Sequence, residues 1–242
     1  MRKLLSIFIA ALLSTGAMAS AASANHSWGG YHWARSSNPF TISLGDNVSS
    51  AWDSYLSTAA SDWSADTAGN PLNATVVAGA GKGKCRSTSG RVEVCSGKYG
   101  NNGWLGVAQI WVSSDRHITR GSAKMNDTYY SLPKYNTPAW RGGVMCQEIG
   151  HTFGLDHQDE SGADFHTCMD YATNPDADNM HPNLHDYQEL ALIYSHLDAT
   201  TTIGRMQGHS SQVVRITHRN ESVVVRRFAD GSKKITFIYW AR

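Results

Sequence analysis

Charge of one sign is what this sequence most plainly lacks: 21 Lys and Arg stand against 20 Asp and Glu. A chain so balanced carries no basic stripe of the kind that neutralises a phosphate backbone, and nucleic acid is excluded as a partner. Cysteine is scarce. The four present, Cys85, Cys95, Cys146 and Cys168, never fall at CxxC spacing, which excludes a cysteine-ligated zinc knuckle. Long apolar runs are missing too: even the N-terminal stretch Leu4 to Leu13 falls short of the roughly 20 residues that span a bilayer. The Gly-rich stretch Gly79 to Gly83 lacks the GxxxxGK pattern with a following Ser or Thr and does not lead straight into a helix, so it reads as a surface loop rather than a phosphate cradle.

What is present begins with a leader. Arg2 and Lys3 precede the apolar run, and small residues follow it, ending in Ala17-Met18-Ala19 and Ala22-Ser23-Ala24. That is the arrangement of a secretory signal peptide over residues 1–24. Cleavage after Ala24 is preferred, and cleavage after Ala19 satisfies the same rule. The mature chain is therefore expected to be secreted, extracellular or periplasmic, with no membrane association once the leader is removed. In an exported chain the cysteines pair. Of the three possible pairings, Cys85–Cys95 closes a short loop and Cys146–Cys168 brackets the motif described below, and these two are favoured. With 41% hydrophobic residues in 242, the chain can bury a full core. Its eight Trp read as packing rather than as a carbohydrate-binding surface.

Phe40-Thr41-Ile42-Ser43-Leu44 alternates as a strand, and Ser49 to Ala65 places Trp52, Tyr55, Leu56, Ala59 and Trp63 at helical spacing. Leu72 to Val77 and Gly103 to Val112 read as further strands. Pro138 to Leu155 reads as a helix, with Pro138 near its start, where a missing amide proton costs least, and Gly154 near its end. Residues 156–183 are a loop rich in Asp, Asn, Gly, Pro and His, before a second helical pattern from Leu184 to Leu197. Three short strand-like runs follow, Val213–Ile216, Val223–Phe228 and Lys234–Tyr239, separated by Asn220-Glu221 and Asp230-Gly231. The pattern predicts an α+β chain: one main domain over 25–200 and a small antiparallel β extension over 203–242.

The helix from Pro138 carries the chemistry. Its sequence Gln147-Glu148-Ile149-Gly150-His151-Thr152-Phe153-Gly154-Leu155-Asp156-His157 sets positions 147 and 151 four apart on one helical face, with Glu148 beside the first. Metal-dependent hydrolysis uses that placement: two ligands on one face and a carboxylate to activate water. Gly154 then allows a sharp turn that brings His157 back.

These residues resemble the metzincin zinc proteases, whose signature is HExxHxxGxxH followed by a Met-turn; here the match is QExxHxxGxxH, with Thr167-Cys168-Met169-Asp170-Tyr171 at the turn. The resemblance extends over residues 25–200. It implies a twisted mixed sheet, an active-site helix, a Met-turn and a C-terminal helix. It further implies Zn2+ held by His151, His157 and Gln147, Glu148 as general base, Met169 beneath the metal, and Tyr171 near the zinc as in astacin-like and serralysin-like members. Gly106-Val107-Ala108-Gln109-Ile110 resembles the upper edge strand along which such enzymes lay their substrates. The implied activity is a secreted zinc endopeptidase acting on protein or peptide as a monomer, without a cysteine-switch propeptide. Three readings of Gln147 stay open: it ligates through its carbonyl oxygen, His166 or His181 completes the site, or the chain is a catalytically degenerate binding module on the same fold. Calcium is a further candidate at Asp156, Asp159, Glu160 and Asp164, although the EF-hand order is missing. His26, His32, His117, His196, His209 and His218 show no grouping in sequence and read as surface or packing residues.

Overall fold

Alternating β-branched and aromatic residues set the first strands. The computed structural model describes residues 26–80, 84–171, 175–208, 210–219 and 221–241; the leader read over residues 1–24 lies outside them. In chain order come β1 (His32–Trp33), β2 (Phe40–Asn47), α1 (Asp53–Trp63), β3 (Leu72–Ala78), β4 (Val92–Gly97), β5 (Trp104–Val112) and β6 (His117–Asn126). A short helix α2 (Asp127–Tyr130) leads to the long helix α3 (Pro138–Thr152), a 3-10 turn (Asp178–Met180) and α4 (Leu184–Ile193). Three strands follow: β7 (Val213–His218), β8 (Val223–Phe228) and β9 (Lys233–Trp240).

The fold is α+β, with one mixed sheet in the order β3-β2-β4-β6-β5-β9-β8-β7 and β1 beside β6. Strands β1, β2, β3, β4 and β6 pair in parallel, and β5 runs antiparallel to β6. The C-terminal extension is antiparallel throughout, and β9 builds it into the main sheet by pairing antiparallel with the other side of β5, Ala108 opposite Phe237. Val223, Ile235, Phe237 and Tyr239 of the extension are buried in the same core as the rest of the chain.

Helix α3 packs on β5 and β6, and α1 packs on β3 and α3. Trp28, Trp33, Trp52, Trp63 and Trp140 are buried. Each such indole removes roughly 150–250 Å² from water, a gross burial of about 4–6 kcal/mol. Two of them also fix α3: Trp63 Nε1 donates to the Cys146 carbonyl at 3.1 Å and Trp33 Nε1 to the Thr152 carbonyl at 2.9 Å. Disulfides join Cys85 to Cys95 and Cys146 to Cys168, the second tying α3 to the Met-turn.

The helices are shorter than their sequence patterns. α1 starts at Asp53 rather than Ser49, α3 ends at Thr152 rather than Leu155, and α4 ends at Ile193 rather than Leu197. At α4 the next residue, Tyr194, turns its hydroxyl into the core to donate to the Phe153 carbonyl at 2.8 Å. No helix among the described residues is long and apolar enough to cross a membrane.

Candidate metal centre and cleft

Every residue of α3 from Gly142 to Thr152 is buried. A helix sunk this deeply is ordinarily apolar all round, so Gln147, Glu148 and His151 on it each need a partner. The helix starts at the Thr137 cap, whose hydroxyl accepts from Trp140 N, with Pro138 in the first turn. It ends where Gly154 adopts φ 104°, with the Tyr31 carbonyl where a Cβ would stand. No other residue type fits both conditions. The reversal returns His157 to the helix. His151 Nε2 and His157 Nε2 lie 3.1 Å apart.

The outer nitrogens of these two rings are already engaged. His151 Nδ1 donates to the Leu155 carbonyl at 2.9 Å, and His157 Nδ1 donates to Glu160 Oε1 at 3.1 Å. Burial, and then the neighbouring His157, holds the His151 pKa well below its ordinary value. With their outer nitrogens so engaged, the two rings turn Nε2 atoms to each other, and a cation between them would be held by both. Gln147 adds a third donor. Its amide nitrogen donates to the carbonyls of Cys168 at 2.8 Å and Asp170 at 2.7 Å, which leaves Oε1 buried without a partner. The donor set fits a zinc ion: two imidazole nitrogens, each with an outer hydrogen bond, and one unclaimed amide oxygen.

Glu148 is buried, and its Oε2 has no hydrogen-bond partner. Burial drives its pKa well above the usual carboxylate range, partly opposed by a hydrogen bond from the main chain of Ala108. Strand β5 passes so close that a Cβ on Gly106 would collide with Glu148 and Val144. Beneath the helix, Met169 is fully buried, its sulfur 2.6 Å from where a Cβ on Gly150 would stand. The Met-turn is tied to the motif by Gln158 N donating to the Met169 carbonyl at 2.8 Å. Burial and the carboxylates of Asp186, Asp164 and Asp159 push the Asp170 carboxyl up to about 7, against a hydrogen bond from Phe165 N.

Strand β9 roofs this centre. Phe237 stacks on the His151 ring at 4.1 Å between centroids and 6° between planes. Tyr239 stacks on Tyr171 at 4.8 Å. The Tyr171 hydroxyl accepts from Trp240 N at 2.7 Å and reaches the Ile238 carbonyl at 3.3 Å. Tyr239 also lines a narrow cavity with Trp140, Val144, Cys168 and Asp170.

His166 and His181 are not drawn into the centre. His166 is exposed between Asp164 and Asp178, and His181 turns to Asp62 at 2.6 Å. The acidic run is divided among separate partners. Asp156 pairs with Arg219, Asp159 accepts from Ser161, Gly162 and Ala163, Glu160 holds His157, and Asp164 accepts from His166 N and Asn179. Phe237 and Tyr239 lie against the centre and were missed by the sequence reading, which named Ala108 only as part of the edge strand and Glu160 only as a calcium candidate. Glu160 left a local signal, a carboxylate three residues past His157. The view of His32, His117 and His196 as ungrouped surface or packing residues is corrected: β1, β6 and the segment after α4 bring all three to Asp198.

No protein-family model matches the chain, and no curated protein sequence does. Among solved structures, high choriolytic enzyme 1, a hatching-enzyme zinc protease from Oryzias latipes (medaka fish), aligns with a TM-score of 0.38 at 12% identity, covering 68% of this chain and 94% of that one. Myroilysin aligns with a TM-score of 0.40 at 13% identity, covering 70% of this chain and 98% of that one.

Proposed function

We propose that the chain is a secreted zinc-dependent endopeptidase of the metzincin type whose cleft is held closed by its own last strand. One observation carries the reading. His151 Nε2 and His157 Nε2 face each other at 3.1 Å with both outer nitrogens committed to acceptors, beside a buried carboxylate, Glu148, with one unclaimed oxygen. His151, His157 and Gln147 Oε1 would hold the ion. When bound, zinc supplies Lewis acidity that lowers the pKa of water and polarises a carbonyl.

The protein's own groups do the rest. Glu148, its proton affinity raised by burial, takes the proton of the attacking water and passes it to the leaving amine. The Ala108 N–H keeps that carboxylate oriented. The Tyr171 hydroxyl, released from the Ile238 carbonyl once β9 departs, faces the charge that develops on the scissile carbonyl oxygen. A peptide substrate lies extended and antiparallel to β5, in the track that β9 occupies, with its side chains where Phe237 and Tyr239 now sit.

The test is digestion of an unfolded protein substrate in zinc, by the mature chain and by Phe237→Ser, which loosens the strap, each beside Glu148→Ala and beside a chelator. Thermal melts confirm that every variant is folded. Cleavage that is faster in Phe237→Ser, and that both controls abolish, is the expected result. A folded Phe237→Ser protein that cuts nothing in zinc would sink the enzyme reading and leave a binding module on the same fold.

A further inference from the structure

A second cluster lies apart from the α3 centre, and three chain segments distant in sequence build it. His32 on β1 and His117 at the start of β6 are directly opposite in the parallel pairing; His196 and Asp198 follow α4. Their inner atoms converge. Asp198 Oδ1 is 3.4 Å from His32 Nε2, 3.2 Å from His117 Nε2 and 3.8 Å from His196 Nε2, and His196 Nε2 is 3.2 Å from His32 Nε2. Ligand atoms at the corners of a tetrahedron about 2.0–2.1 Å from a zinc ion stand about 3.3 Å apart. The separations of His32 and His117 from Asp198 lie near that value, and the ligand atoms of these three residues form one cluster with His196 at its side.

The outward-facing atoms are committed elsewhere, which fixes what the inward ones present. His32 Nδ1 lies 2.9 Å from the Gly30 carbonyl and His117 Nδ1 lies 3.1 Å from Asp115 Oδ2. Both partners only accept, so both Nδ1 atoms carry the proton. The Nε2 atoms of both rings then face Asp198 Oδ1. Asp198 Oδ2 is occupied by the Arg35 backbone N–H at 3.1 Å and guanidinium at 3.0 Å. Asp198 Oδ1 and the Nε2 atoms of His32 and His117 thus converge, and outer hydrogen bonds of the kind that orient metal ligands surround them. The side chains of His32 and Asp198 are nearly buried, at 9% and 10%, while His196 is half exposed at 51%, which gives an ion a way in.

We propose that His32, His117 and Asp198 form a second, structural zinc site, separate from the α3 centre, with the half-exposed His196 turning in as its fourth protein ligand. Its role follows from what it joins: the N-terminal strand, the β5–β6 turn and the chain leaving α4. Three imidazoles and one carboxylate suit zinc rather than calcium or magnesium, which select oxygen.

The experiment is zinc stoichiometry of the full mature chain by elemental analysis, with melting curves in zinc and in chelator. Wild type is expected to hold two zinc per chain and His117→Ala/His196→Ala one. His151→Ala/His157→Ala is expected to keep one zinc, and a zinc-dependent rise in Tm of about 5–10 °C, both lost when His117→Ala and His196→Ala are added. If the His151/His157 variant does not fold, the wild-type comparison decides alone. Zinc content and Tm unchanged by His117→Ala/His196→Ala overturn the proposal.

Discussion

Gln147 is the residue at which this centre departs from the metzincin signature, and its amide does two things at once. Its nitrogen closes two carbonyls of the Met-turn, Cys168 and Asp170, while Oε1 stays buried without a hydrogen-bond partner. Gln147→His exchanges both roles. An imidazole donates once, so one buried carbonyl loses its partner, at a cost of about 1–3 kcal/mol. The new nitrogen donor binds zinc more tightly than an amide oxygen does. The expected outcome is a lower Tm in chelator together with zinc affinity raised on the order of tenfold or more, read by competition with a chromogenic chelator. Unchanged affinity would remove Gln147 from the ligand set. At this scale the site was legible wherever its geometry is local. Glu148, His151, Gly154 and His157 lie within one helix and one turn, so spacing alone brings them together. Phe237 stacks on His151 from 86 positions further along the chain (237 − 151), and no periodicity carries that information. The same holds for His32, His117 and His196, whose meeting depends on the pairing of β1 with β6.

Among the elements, β9 is held by opposing effects. Its inward residues Ile235, Phe237 and Tyr239 are buried. Its outward Lys234 lies over the Trp111 ring at 4.7 Å, a ring that Arg120 also covers. Burial first, then the charges of Lys124 on β6 and Arg226 on β8, bring the Lys234 pKa down to about 8. Below pH 8 Lys234 is protonated in both folded and unfolded chains, and the full penalty is present. Between about 8 and the unfolded value near 10.4 the unfolded chain binds more protons, so stability rises with pH. Lys234→Met should raise stability at pH 7 by an amount on the order of 1 kcal/mol and flatten the pH dependence between 8 and 10; a melt series from pH 7 to 10 checks both. The strands that the sequence hid are instructive here. β6 mixes Arg120, Gly121 and Lys124 into its run and is a strand because β4 and β5 flank it. Such tertiary context outweighs strand propensity.

On the scale of the whole molecule, the sheet's edges have been rearranged. Without β9, strand β5 would end the sheet with Leu105, Val107, Ile110 and Trp111 beside an unpaired row of amides and carbonyls, the kind of edge that templates aggregation. With β9 in place the free edge passes to β7. Its Val213, Val214 and Ile216 are exposed, but Arg215 interrupts them, and Arg226 and Arg227 sit opposite on β8. Charge at an edge discourages pairing between chains. Opening the cleft therefore creates a colloidal hazard as well as access to the candidate centre. Phe237→Ser should sediment as a concentration-dependent mixture of sizes at neutral pH, where wild type runs as a single species, and a short extended peptide able to pair with β5 should restore one species. The strap is then also an internal chaperone for the strand it covers, and storage life is set by how long that strand stays covered.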